Sequence, residues 1–157
     1  MKTVFVDIDT QLDFLFPAGA LYMPEAENLV ASLTQLTEFA ARNRMQIVST
    51  ADAHAEDDAE FASWKPHCVA GTAGQQKAAA ALVNGRAALA TTAGALDAIR
   101  QQAREAAQIV VEKQKLDCFT NPHLRPLLGM LAAERYVVYG VATEHCVRCA
   151  AFGLLET

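Results

Sequence analysis

The stretch YGVATEHCVRCA, Tyr139 to Ala150, decides how the chain is read. The β-forming run Tyr136-Val137-Val138-Tyr139 stops at Gly140, and a helical pattern begins around Glu144. A strand therefore passes directly into a helix, and Cys146 falls in that helix's first turn. A thiol in this place can be a packed core residue, half of a Cys146-x-x-Cys149 redox pair, or a nucleophile.

Outward from this junction the same alternation repeats. Thr3–Ile8, Met45–Thr50 and Ala107–Glu112 read as three further strands, with Tyr136–Tyr139 as the fourth. Arg86–Thr91 is ambiguous and allows a short extra strand. Apolar spacing predicts helices over Ala26–Arg42, Leu96–Ala106 and Pro122–Ala133. Strand-helix alternation implies right-handed crossovers and a parallel sheet covered on both faces. The expected fold is a three-layer α/β/α domain with a Rossmann-like sheet. Sites on such sheets lie outside the carboxyl ends of the strands. There the sequence places Asp9, Gln11, Asp13 and Phe14 after the first strand, Asp52 and His54 after the second, Lys113 after the third and Cys146 after the fourth.

Composition bounds the function. At 157 residues the chain has the length of one domain, and no linker, repeat or boundary interrupts it, although Lys77 to Ala106 is rich in alanine. Hydrophobic content of 52% against 20% charged residues describes a well-buried globular chain. A net charge of -5 argues against nucleic acid or an anionic membrane as partner. No apolar run reaches the roughly eighteen residues of a membrane span. Asp7 brings acid into the N-terminal stretch too early for a secretory signal. The four cysteines read as reduced, cytoplasmic thiols.

The thiolate is the useful nucleophile, and a helix N-terminus and a nearby ammonium both favour it. A carboxylate can take the thiol proton and return it to a leaving amine. Asp9, Lys113 and Cys146 provide that set. Taken singly, Asp9 could cap a turn and Lys113 could be a solvated strand end, as Lys115 is expected to be. Asp52 and His54 could belong to a polar loop, with Glu56-Asp57-Asp58 a solvated acidic run. Phe14 and Trp64 could be plain core.

The chain resembles the isochorismatase-like cysteine hydrolases, and among them the nicotinamidases. The resemblance rests on DTQLDF (Asp9 to Phe14), DAH (Asp52 to His54), EF (Glu60-Phe61), WKPHCVAGTAG (Trp64 to Gly74), EKQKLDCF (Glu112 to Phe119) and GVATEHCV (Gly140 to Val147). It implies an Asp9-Lys113-Cys146 triad, a cis peptide between Val141 and Ala142, and an oxyanion site at the Ala142 and Cys146 N–H groups. It further implies one divalent metal ion, Zn, Fe or Mn, held by Asp52, His54, Glu60 and His67. Asp57 or Asp58 could replace Glu60 as fourth ligand, and Cys68 is expected to pack inward. Phe14 and Trp64 match positions that sandwich a substrate ring. The implied activity is hydrolysis of nicotinamide, or of another small amide, in NAD salvage. A homo-oligomer acting on a small molecule is expected. The family pattern continues past Cys146 with a further strand and helix, so a sequence reaching only Thr157 reads as C-terminally short. Asp7 departs from the pattern; strand alternation puts it on the same sheet face as Asp9, with no assigned role.

Overall fold

Val4, Val6 and Ile8 alternate with Phe5 and Asp7 along β1 (Thr3–Ile8), and all five positions from Val4 to Ile8 are buried, as a central parallel strand requires. The computed structural model describes residues 1–91 and 96–157. A short helix α1 (Leu12–Leu15) follows β1. A 3-10 turn (Ala26–Leu29) then leads into α2 (Val30–Arg42), dividing the single helix expected there. The remaining elements are β2 (Gln46–Asp52), β3 (Arg86–Leu89), α3 (Leu96–Glu105), β4 (Gln108–Lys113), α4 (Leu124–Leu131), β5 (Arg135–Gly140) and α5 (Arg148–Leu155). The ambiguous run after Gly85 is therefore a strand.

The five strands form one sheet in the order β3-β4-β2-β1-β5, and every pairing is parallel. Val4, Val6, Val48, Ile109 and Val111 face one side and pack with Ile99 of α3, Leu127 of α4 and Leu154 of α5. Phe5 and Ile47 face the other side, against Ala40 of α2. Truncating a residue such as Leu127, fully buried at this interface, typically costs about 2–5 kcal/mol. Among the described residues no helix is long and apolar enough to cross a membrane.

Alternation carries Thr50, Asp52 and Lys113 to the rim on the face of α4 and α5, because they continue the Val48 and Ile109-Val111 rows. Asp7 lies on the opposite face, opposite Ser49 in register. Asp9 does not join it there. Its φ of 48° turns the chain just past the strand and brings its carboxylate to Thr50 and Lys113. The expectation of a shared face for Asp7 and Asp9 fails because strand parity ends at Ile8.

Candidate active site

Lys113 stands at the centre of the rim. Its side chain is wholly buried, and Nζ lies 2.9 Å from Asp9 Oδ2 and 3.5 Å from Cys146 Sγ, with Asp52 Oδ1 in hydrogen-bond contact. The Thr50 hydroxyl donates to Asp9 Oδ1 at 2.6 Å. The predicted triad is thus assembled from the ends of β1, β4 and β5.

The charges follow from this packing. Burial lowers the proton affinity of the Lys113 amine, but the two carboxylates outweigh it and hold the group well above its ordinary value. Burial raises Asp9, yet the Lys113 charge and hydrogen bonds from Thr50, Lys113 and Cys146 leave it below the usual carboxylate range. Burial pushes the Cys146 thiol up, the Asp9 charge adds to this, and Lys113 opposes both. The resting pair is therefore a thiol beside a carboxylate. Sequence reasoning favoured a thiolate, because burial and a second acid are invisible in a motif.

Cys146 sits in a widened π turn, Thr143–Val147, that opens α5. The Ala142 carbonyl accepts from both His145 N–H (3.1 Å) and Val147 N–H (3.2 Å). Such turns recur at functional sites. Val141-Ala142 is cis, as the resemblance implies. Gly140 has φ 129°, and a Cβ there would stand 2.0 Å from the Ile8 carbonyl oxygen, so only glycine lets β5 end this close to β1. Among the described residues the Ala142 N–H has no hydrogen-bond acceptor.

Asp52, His54 and His67 form a second group, one ligand atom from each lying within 4.8 Å of the others. Asp52 Oδ2 is 3.9 Å from His54 Nε2 and 3.8 Å from His67 Nε2. His54 Nδ1 bonds Asp58 Oδ2 at 3.0 Å, and His67 Nδ1 bonds the Lys65 carbonyl at 2.7 Å. A carbonyl can only accept, so His67 carries its proton on Nδ1. Asp58 is held below the usual carboxylate range by the Glu60 N–H and by His54, so it too accepts. Both rings then turn Nε2 toward Asp52, and His54 Nε2 is buried without any hydrogen-bond partner. Two imidazoles and a carboxylate, each oriented by an outer partner, suit a borderline divalent cation. Glu60 lies outside this trio: its carboxylate is 3.5 Å from Lys115 Nζ.

Both groups open on a cavity of about 210 Å³. This is smaller than the roughly 300 Å³ at which pockets for drug-sized ligands begin, so it suits a molecule of about one ring. Phe14, Trp64, Leu116 and Val141 supply apolar wall, and Asp52, Glu60, His67 and Cys146 supply polar wall. Phe14 packs on His67 (ring centroids 5.4 Å) and Trp64 meets His145 edge-on at 5.3 Å. Phe14 and Trp64, the aromatics expected to flank a ring, thus share one chamber with Cys146.

Sequence reasoning missed the supports. The Gln11 amide donates to the carbonyls of Asp52 (2.8 Å) and Gln75 (2.7 Å) and accepts the Asp52 N–H (2.8 Å), which fixes the end of β2. Asp13 accepts the N–H groups of Ala20 (2.9 Å) and Cys68 (2.7 Å), tying together two loops of the cavity wall. Both residues belong to the quoted DTQLDF run, which is the signal that could have found them. Asp58 is not part of a solvated acidic run, because His54 claims it. Lys115, about half exposed, bridges toward Glu60. Cys68 is buried, as expected.

The sequence matches the family model of the isochorismatase domain over residues 3–157. No curated protein sequence matches it. Among solved structures it is similar to the N-carbamoylsarcosine amidase of Thermoplasma acidophilum, at 24% identity over 99% of this chain and 77% of that one, with a TM-score of 0.77. It is similar to the pyrazinamidase of Pyrococcus horikoshii solved in complex with zinc, at 24% identity over 99% and 79%, TM-score 0.78. A nicotinamidase/pyrazinamidase of Bacillus subtilis aligns at 23% identity over 99% and 80%, TM-score 0.75. At these identities the likeness is one of fold.

Proposed function

The chain belongs to the isochorismatase family, and from that premise we propose that it is a cysteine amidohydrolase converting nicotinamide to nicotinate and ammonia. The observation that carries this reading is Lys113 within 2.9 Å of Asp9 and 3.5 Å of Cys146, on a one-ring cavity that Asp52 and His67 also face. A related small amide is the second reading, favoured by the likeness to an N-carbamoylsarcosine amidase.

Asp52, His54 and His67 would hold one divalent ion, Zn, Fe or Mn, with Glu60 as the fourth donor. When bound, that ion supplies a Lewis-acidic seat for the ring nitrogen of the substrate. Phe14 and Trp64 would flank the ring and leave the carboxamide over Cys146. Asp9 takes the thiol proton as sulfur attacks the amide carbon, and Lys113 keeps the resulting ion pair in place. The N–H groups of Ala142 and Cys146 receive the developing oxyanion. Asp9 then gives the proton to the departing ammonia, leaving a thioester. Water attacks that thioester, its proton passes by way of Asp9 back to sulfur, and the acid is released.

The product suits a role in NAD salvage. Four free thiols suit a reducing cytoplasmic compartment. A homo-oligomer would cover the outer edge of β5, which among the described residues pairs only with β1. The direct test is ammonia release from nicotinamide and from a panel of small amides, each with and without a chelator. Turnover of a ureido acid but not of nicotinamide would replace the first reading with the second.

A further inference from the structure

A second buried acid-lysine pair lies behind the first. Lys77 Nζ is 3.0 Å from Asp7 Oδ2, and both side chains are almost wholly buried. Asp7 also accepts hydroxyl hydrogen bonds from Ser49 and Thr10, each at 2.9 Å. The proposed reaction uses none of these groups, and Asp7 faces the α2 side of the sheet, away from Cys146.

A buried ion pair is a weak source of stability, since an apolar pair of similar volume often serves a core as well. What Lys77 has that an apolar residue lacks is a further ammonium proton, and it goes to the Thr50 carbonyl at 2.9 Å. Thr50 is also the residue that fixes Asp9. Its hydroxyl donates to Asp9 Oδ1 (2.6 Å), and its carbonyl and hydroxyl both accept the Asp9 N–H (3.3 and 3.2 Å). Asp9 needs this hold, because a φ of 48° is sparsely populated for aspartate and persists where the surroundings over-determine it. The strap that carries Lys77 grips the following residues as well: Ala78 N–H donates to Thr10 O and Leu12 N–H to Gln76 O, both at 2.8 Å.

We propose that Lys77, anchored by Asp7, is a positioning residue for Asp9 and acts on it through Thr50 from the opposite face of the sheet. The inference rests on the reading of Asp9 as the acceptor of the Cys146 proton. Lys77 touches no substrate; it fixes the plane in which the Asp9 carboxylate meets the thiol.

The test is the double variant Asp7→Asn/Lys77→Met, which leaves no unpaired charge buried, set beside wild type and Asp9→Asn. Three quantities are read on purified, metal-replete protein: circular dichroism, steady-state kinetics on nicotinamide, and the pH midpoint of Cys146 alkylation by iodoacetamide. The double variant should be folded and should lose about tenfold to a hundredfold in kcat at unchanged KM, the scale of a small misplacement of a reacting group. Its alkylation midpoint should move down toward that of Asp9→Asn, because a displaced Asp9 no longer holds the thiol proton. A folded double variant with wild-type kcat and wild-type midpoint would overturn the proposal, as would a rise in KM alone. Where the double variant does not fold, Thr50→Val tests the last step of the route, the hydroxyl donated to Asp9: it should lose kcat, and wild-type kcat would overturn the route through Thr50. If Asp9→Asn itself leaves turnover and alkylation unchanged, the underlying reading of Asp9 fails, and the positioning role fails with it.

Discussion

Asp52 meets Lys113 through only one of its carboxylate oxygens: Oδ1 takes the ammonium, while Oδ2 faces His54 and His67 at 3.9 and 3.8 Å. One side chain thus belongs to both groups of the site. The triad and the imidazole pair are fixed relative to each other by the rigidity of a single carboxylate, itself held by the Gln11 clamp on its backbone.

Asp9→Asn should lower kcat by about a hundredfold or more and leave KM close to wild type, since the amide cannot accept the thiol proton. Steady-state kinetics decide this; an effect confined to KM would remove Asp9 from the proton path.

Cys146→Ala should abolish turnover while preserving fold and metal content, and Cys149→Ala should keep activity near wild type. Activity that survives the first substitution and is lost with the second would remove Cys146 as the nucleophile.

Alkylation of Cys146 should be slow at pH 7 and still rising above pH 9. The thiolate is the reacting species, and burial together with Asp9 holds the thiol above its ordinary value. Asp9→Asn removes a group that raises the thiol and leaves Lys113, which lowers it. The profile should therefore shift to lower pH, and a shift upward would contradict this account of the charges.

Purified protein should carry about one divalent ion per chain, measured by elemental analysis. His54→Ala and His67→Ala should each lose it. Asp58→Asn should weaken metal affinity by about tenfold to a hundredfold in a chelator competition, because the imidazole it orients would be freed. Glu60→Ala should raise KM more than it lowers kcat, since substrate and transition state both use a contact remote from the reacting carbon. A mainly kcat effect would assign Glu60 to the chemistry.

Lys113 and Cys146 could be placed at one rim from sequence because in a parallel sheet the residues that end or follow each strand reach the same edge, and the quoted motifs then single out Lys113 from Lys115. Asp9 could be read only through its motif, since strand parity would have placed it with Asp7 on the wrong face until φ 48° turned it. The supporting roles of Thr50 and Asp58 could not be read, although Asp58 stands among the alternative fourth ligands. Their roles depend on which strands and loops become neighbours, and Thr50 is 41 residues from the Asp9 it supports. The strand Arg86–Leu89 was uncertain because four residues at a sheet edge, two of them exposed, give too short an apolar pattern to recognise. Lys77 lay in an alanine-rich stretch with no flanking motif, so nothing marked it as buried.

The strand order β3-β4-β2-β1-β5 also bears on how the chain reaches its working form. Asp9, Asp52, Lys113 and Cys146 come from four adjacent strands, and every pairing between those strands is long-range in sequence. Helices can form early from local contacts, whereas parallel pairings of this kind close slowly. During refolding, far-ultraviolet ellipticity should therefore recover ahead of amidase activity. No fragment ending before β5 can hold the complete centre, because Cys146 follows that strand while Asp9, Asp52 and Lys113 precede it.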